Sequence, residues 1–233
     1  MDVRTRILEA AAGLLSRSAD ADVSTRAVCE AAGVGAPILY RHFGDKEGLL
    51  SAVVDFGFER YLAAKRVPRP SSDPVADLRE GWDNHVRFAV ENPNYYRLMY
   101  SPGLSVPPAA AAEAQRLLHE VIERIAAAGR LRVAPETATR MVMSANAGVA
   151  LSLISRPALY PDPDFSPRVR DALVASITTP EATGTARPAD ATLPTAAATL
   201  AARLRTTPPT SLTPPETALL QQWLAILADT PAD

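Results

Sequence analysis

The chain has 233 residues, 47% of them hydrophobic and 21% charged, with a formal net charge of −2. That balance excludes a disordered chain, and it excludes a basic nucleic-acid packager because no global charge pulls on phosphate. The single cysteine, Cys29, excludes an intramolecular disulfide.

Asp2, Arg4 and Arg6 open directly into an amphipathic pattern instead of a signal peptide, and a cytoplasmic location is the expectation. Residues 4–18 form the first predicted helix, with Ile7, Leu8, Ala11, Ala12, Leu14 and Leu15 on its inner face. Ser24 is the expected N-cap of a second helix, 25–32, which is expected to bury Ala27, Val28 and Ala31, with Cys29 as a small core hydrophobe. Gly33 ends it at a position that requires a left-handed cap. A third helix covers 36–42 and tolerates Pro37, because first-turn amides lack intrahelical partners. Asp45 caps a fourth helix that runs to about residue 65.

The proline-rich run Val67–Pro74 is the expected break between a first domain, 1–50, and a second, 66–233, joined by helix 45–65. Further helices are expected at 74–91, 93–100, 108–129, 135–156, 166–178, 195–206 and 214–229, with 179–194 a loop rich in Ala, Thr and Pro. The last helix starts on a capping box, Thr213 with Glu216, and has Pro214 in its first turn. Helix 135–156 carries no charge between Arg140 and Arg156, which predicts burial all round, in the core or between subunits. Its uncharged run is shorter than the ~18 residues a membrane span needs, so no membrane association is expected. No segment sustains a period of two, and the fold class is all-α.

The densest chemistry lies between Gly33 and Leu50. A helix of about two turns is marginal alone in water, so packing must hold it. It presents Tyr40, Arg41 and His42 outward, as a scaffolded helix offered to a partner does, and DNA fits those groups. Gly33-Val34-Gly35 is not a dinucleotide fingerprint, because Ile38 stands in the third glycine's place and a helix precedes it.

Ile7-Leu8-Glu9-Ala10-Ala11, Ser24 to Val34, Leu39-Tyr40-Arg41-His42-Phe43 and Asp45 to Leu50 together resemble the DNA-binding domain of the TetR family of bacterial transcriptional regulators. Asn92 to Tyr100 is similar to a stretch common in one subgroup. The resemblance implies an N-terminal three-helix helix-turn-helix domain and a helical ligand-binding and dimerisation domain. It also implies a homodimer that binds a pseudo-palindromic operator on double-stranded DNA and is released by a small molecule. Tyr40, His42 and Lys46 are then phosphate contacts, with Thr25 near the backbone. The competing reading packs Tyr40 and His42 over the third helix and leaves Lys46 in water. Recognition positions map to Gly35, Ala36, Pro37 and Ile38, none of which offers a side-chain hydrogen bond. Ala36, Pro37 and Ile38 are therefore expected against thymine methyls, Arg26 on guanine, and Arg41 on a base or a phosphate.

In the second domain Trp82, His85, Phe88, Tyr96, Met99, Tyr100, Met141 and Asn146 are candidate lining for a largely apolar ligand, or plain core. Leu220, Trp223, Leu224 and Leu227 are the expected dimer anchors on the last helix. His42, His85 and His119 show no metal spacing, no metal or cofactor is expected, and catalytic signatures such as Glu-x-x-His are absent. The alternatives are a DNA-binding regulator without a ligand and a helical-bundle enzyme.

Overall fold

The computed structural model describes residues 2–18, 22–64, 70–100, 109–179, 192–207, 209 and 211–229. Eleven α-helices appear among them: α1 Val3–Arg17, α2 Thr25–Ala32, α3 Ala36–Phe43, α4 Lys46–Ala64, α5 Pro74–Glu91, α6 Pro93–Met99, α7 Ala109–Ala127, α8 Pro135–Ser155, α9 Phe165–Ile177, α10 Leu193–Thr206 and α11 Pro214–Ala228. A 3-10 turn, Pro157–Leu159, and one antiparallel bridge, Leu131 to Thr178, are the other regular features among the described residues. Residues 67–69 of the expected break at 67–74 and most of the expected loop at 179–194 lie outside the described residues.

The caps act where local chemistry places them. Asp2 accepts from the Thr5 amide at 2.7 Å, and Asp45 accepts from Gly48 at 2.7 Å. Gly33 takes φ +62°, a left-handed conformation that a side chain would disfavour, and its amide bonds back to Cys29 and Glu30. The Thr213–Glu216 capping box starts α11, with Thr213 N donating to the Glu216 carboxylate at 2.8 Å.

The chain divides into two compact units. The first is residues 1–69, 85–114 and 150–159; the second is 70–84, 115–149 and 160–233. In the first, Ile7, Leu8, Ala11 and Leu15 of α1 join Val28, Leu39, Leu49, Val53, Val54 and Tyr96 in one apolar core. Burying each large side chain contributes about 1.5–3 kcal/mol, which is what holds the eight-residue α2 and α3. Asn94 on α6 donates to the carbonyls of Leu15 and Ser18, each at 2.8 Å, and so satisfies the open end of α1. Arg97 donates to Asn94 Oδ1 at 3.3 Å and to the Ile154 carbonyl at 2.5 Å.

In the second unit α10 and α11 pack as a hairpin, with Ala197, Ala198 and Ala201 against Leu224 and Ala228. Trp82 Nε1 donates to Ser166 Oγ at 3.0 Å, and Asn146 Nδ2 donates to the Trp82 carbonyl at 3.3 Å.

Three expectations are corrected. On α2 the buried set is Val28, Cys29 and Ala32, and Ala31 is exposed; the inner face is rotated by one residue. Helix α8 is not buried all round within the core of one chain, because Arg140, Met141, Ser144 and Gly148 form an exposed stripe, which leaves the alternative of burial between subunits. Leu224, expected as a dimer anchor, is 6% exposed inside its own hairpin, where the alanines of α10 leave room for it.

Candidate nucleic-acid interface

Helix α3 is fixed from below and open above. Leu39 is fully buried, and the Arg4 guanidinium lies 5.6 Å from the centre of the half-buried Phe43 ring. Ala36, Pro37, Tyr40, Arg41 and His42 are exposed, and Ile38 is half-buried. Gly35 offers no side-chain cap, so Pro37 in the first turn presets the helical backbone instead.

The expected phosphate contacts do not all stand alone. Thr25 Oγ1 and Tyr40 Oη lie 3.5 Å apart, which joins the start of α2 to the outer face of α3. Lys46 Nζ reaches Asp22 Oδ1 at 2.7 Å, with both side chains substantially exposed. The bond from Lys46 holds the Asp22 carboxyl below the usual carboxylate range, helped by the Val23 amide. Arg26, 88% exposed on α2, pairs along the helix with Glu30 at 2.9 Å. A phosphate or guanine edge must therefore compete with a carboxylate for Lys46 and Arg26. His42 and Arg41 are exposed at the end of α3. Asp22 is absent from the residues expected from sequence, since nothing in its local pattern tells that it meets a lysine 24 positions on.

The residues expected around a ligand fall into two groups. His85, Phe88, Tyr96, Met99 and Tyr100 belong to the first unit. There His85 Nε2 and Tyr96 Oη are hydrogen-bonded at 2.8 Å, with their rings edge to face, and Tyr96 stacks at 4.9 Å on Tyr100. Burial lowers the His85 pKa to about 4 and raises that of both phenols. The Tyr100 hydroxyl is buried without a hydrogen-bond partner among the described residues. Trp82 and Asn146 meet in the second unit, where Asn146 Oδ1 is likewise buried without a partner among the described residues. Met141 does not join either group; it is 37% exposed on α8. Of the expected dimer residues, Trp223 and Leu227 are 55% and 37% exposed, and Leu220 is half-buried against the hairpin core.

Comparison with known proteins bears on both regions. Residues 7–53 match the sequence model described as bacterial regulatory proteins, tetR family. Residues 78–177 match the tetracyclin repressor-like C-terminal domain. Among curated relatives, the nucleoid occlusion factor SlmA of Marinomonas is 30% identical over 128 residues, covering 53% of this chain and 62% of SlmA. The HTH-type transcriptional regulatory protein RaaS of Mycobacterium tuberculosis is 43% identical over 58 residues, covering 25% of this chain and 27% of RaaS. The chain thus spans less than two thirds of either relative. In fold it resembles NalD, the secondary repressor of the MexAB-OprM multidrug efflux pump in Pseudomonas aeruginosa. The TM-score is 0.55 at 20% identity, over 76% of this chain and 96% of NalD.

Proposed function

Because the chain belongs to the tetR family of bacterial regulatory proteins, we propose that it is a DNA-binding transcriptional regulator and acts as a repressor released by a small molecule. The observation that carries this reading is α3. A short helix, anchored by Leu39 and Phe43, offers Tyr40, Arg41 and His42 to solvent beside Thr25 and Lys46. Tyr40, His42, Lys46 and Thr25 take phosphates and set the register. Ala36, Pro37 and Ile38 meet thymine methyls, and Arg26 and Arg41 supply the polar readout.

The His85, Tyr96 and Tyr100 cluster supports a ligand site with Phe88 and Met99 around it. A neutral imidazole and neutral phenols in an apolar setting suit an uncharged, largely apolar molecule carrying one hydrogen-bonding group. Coupling to the DNA-binding helices runs through α6, which holds Tyr96 and Met99 and also Asn94, the clamp on α1. A ligand that displaces Tyr96 displaces Asn94 with it.

The active form is a homodimer. The exposed apolar residues Leu219, Trp223, Ile226 and Leu227 of α11, and the exposed stripe of α8, support a second copy as the partner. No helix among the described residues is long and apolar enough to cross a membrane, and a cytoplasmic site of action accords with that. A helical-bundle enzyme is disfavoured by the family. Genome-wide mapping of bound DNA is the test: discrete pseudo-palindromic sites support the reading, and uniform or absent occupancy overturns it.

A further inference from the structure

We propose that His119, Glu123 and Glu136 form a binding site for a zinc-class divalent cation in the second unit. His119 and Glu123 stand four residues apart on α7 and share a face, and Glu136 comes from the first turn of α8. The imidazole nitrogen and the two carboxylates bring one ligand atom each to within 4.8 Å of one another.

The hydrogen bonding of the imidazole adds an independent reason. Thr139 is 3% exposed, and its hydroxyl donates to the Pro135 carbonyl at 2.8 Å. With its single proton committed there, the hydroxyl accepts from His119 Nδ1 at 3.0 Å. The proton of a neutral His119 therefore sits on Nδ1, and the Nε2 lone pair faces Glu123 Oε1 at 3.5 Å. Two acceptors facing each other are reconciled by a cation between them, either a metal ion or a proton on Nε2, and the third ligand atom from Glu136 favours the metal. Ligands bound at ~2.0–2.1 Å to a tetrahedral zinc lie roughly 3.3 Å apart, close to that separation. A metal-bound histidine whose other nitrogen donates to a fixed oxygen is the arrangement that sets the tautomer and orients the ring. Three protein ligands leave the fourth position to water.

Glu123 has a second suitor. Arg205, in the last turn of α10, bonds to it with Nη2 at 2.7 Å and Nε at 3.2 Å. The cation and the guanidinium compete for one carboxylate, so zinc loosens the tie between α7 and α10. Helices α10 and α11 lie beyond the residues that match the family's C-terminal domain.

The test uses the full chain, freed of metal with a chelator and titrated with Zn²⁺ against a chromophoric competitor. One zinc per chain is expected. His119→Gln and Glu136→Gln each weaken it at least about tenfold, Thr139→Val weakens it about 10- to 100-fold, and Arg205→Gln tightens it. Glu136 is exposed, so its variant keeps the test valid should the others unfold, as circular dichroism reads out. No stoichiometric uptake by the parent chain, or uptake unchanged in both the His119 and Glu136 variants, overturns the proposal. The first result identifies the pair as an imidazolium–carboxylate ion pair.

Discussion

Lys46 Nζ is held between both oxygens of Asp22, at 2.7 Å from Oδ1 and 3.0 Å from Oδ2. In the proposed complex the carboxylate competes with a DNA phosphate for that ammonium. Exposed ion pairs contribute about 0.2–1 kcal/mol, so Asp22→Asn should tighten operator binding by up to ~5-fold. Lys46→Ala should lower the salt slope of binding by about 0.9 for each phosphate that is no longer neutralised. Anisotropy titrations across a salt series measure both, and an unchanged slope removes Lys46 from the interface.

Part of the proposed base reading rests on apolar groups. Ala36, Pro37 and half-buried Ile38 present only carbon at the start of α3. Replacing operator thymines by uracil should weaken binding by up to about 0.8 kcal/mol for each methyl group removed from the interface. Equal affinity for the uracil duplex rules methyl recognition out.

The first turn of α4 tolerates only glycine at position 48, where a Cβ would lie 2.1 Å from the Phe43 carbonyl oxygen at the end of α3. Gly48→Ala must shift backbone, at a cost of about 1–3 kcal/mol, and move α3 relative to α4. Gly13, inside α1, meets nothing closer than the Arg17 guanidinium at 3.9 Å. Gly13→Ala should stabilise by about 0.5–1 kcal/mol. Urea denaturation of the two variants reads out the opposite signs.

Much of the fold is legible in the chain. Ser24, Gly33, Asp45 and Thr213 mark helix ends because capping chemistry is local, and the helix limits fall within a few residues of expectation. Burial is less legible. Alanine carries too little apolar area to signal a face, which is why the pattern points Ala31 inward although Ala32 is the buried one. The uncharged run of α8 predicts burial in the core or between subunits, and the exposure of Ser144 and Gly148 in one chain rules out only the first. Asp22 with Lys46, Asn94 with α1, and Glu136 with His119 are pairings across the fold, and no local period encodes them.

His85 makes stability depend on pH. Its folded pKa, about 4, lies below its ordinary value of 6.5, so the unfolded chain takes up the proton first as pH falls. The contribution is complete above pH 6.5 and is lost between there and about pH 4, by about 3 kcal/mol in all. His85→Gln should flatten that part of the profile. Urea midpoints measured from pH 7.5 to 4 check it, and parallel profiles for both chains contradict it.

Asn94 should couple ligand to DNA. Asn94→Ala removes a donor from two carbonyls of the α1 terminus, of which Leu15 keeps the Ser18 amide, and should cost about 1–3 kcal/mol. It should also reduce the ratio of DNA affinities measured with and without ligand. Thermal unfolding gives the first quantity and anisotropy the second. A destabilised variant with an unaltered ratio places the coupling elsewhere.

The central claim, sequence-specific binding through α3, is tested most directly by titrating the full chain onto a duplex enriched from mapped genomic sites and onto its scrambled counterpart. The account predicts saturation at two chains per pseudo-palindrome, at least about a thousandfold preference for the enriched duplex, and loss of that affinity in a Tyr40→Ala, Lys46→Ala double variant. Equal affinity for both duplexes, or a double variant that binds like the parent, would contradict it.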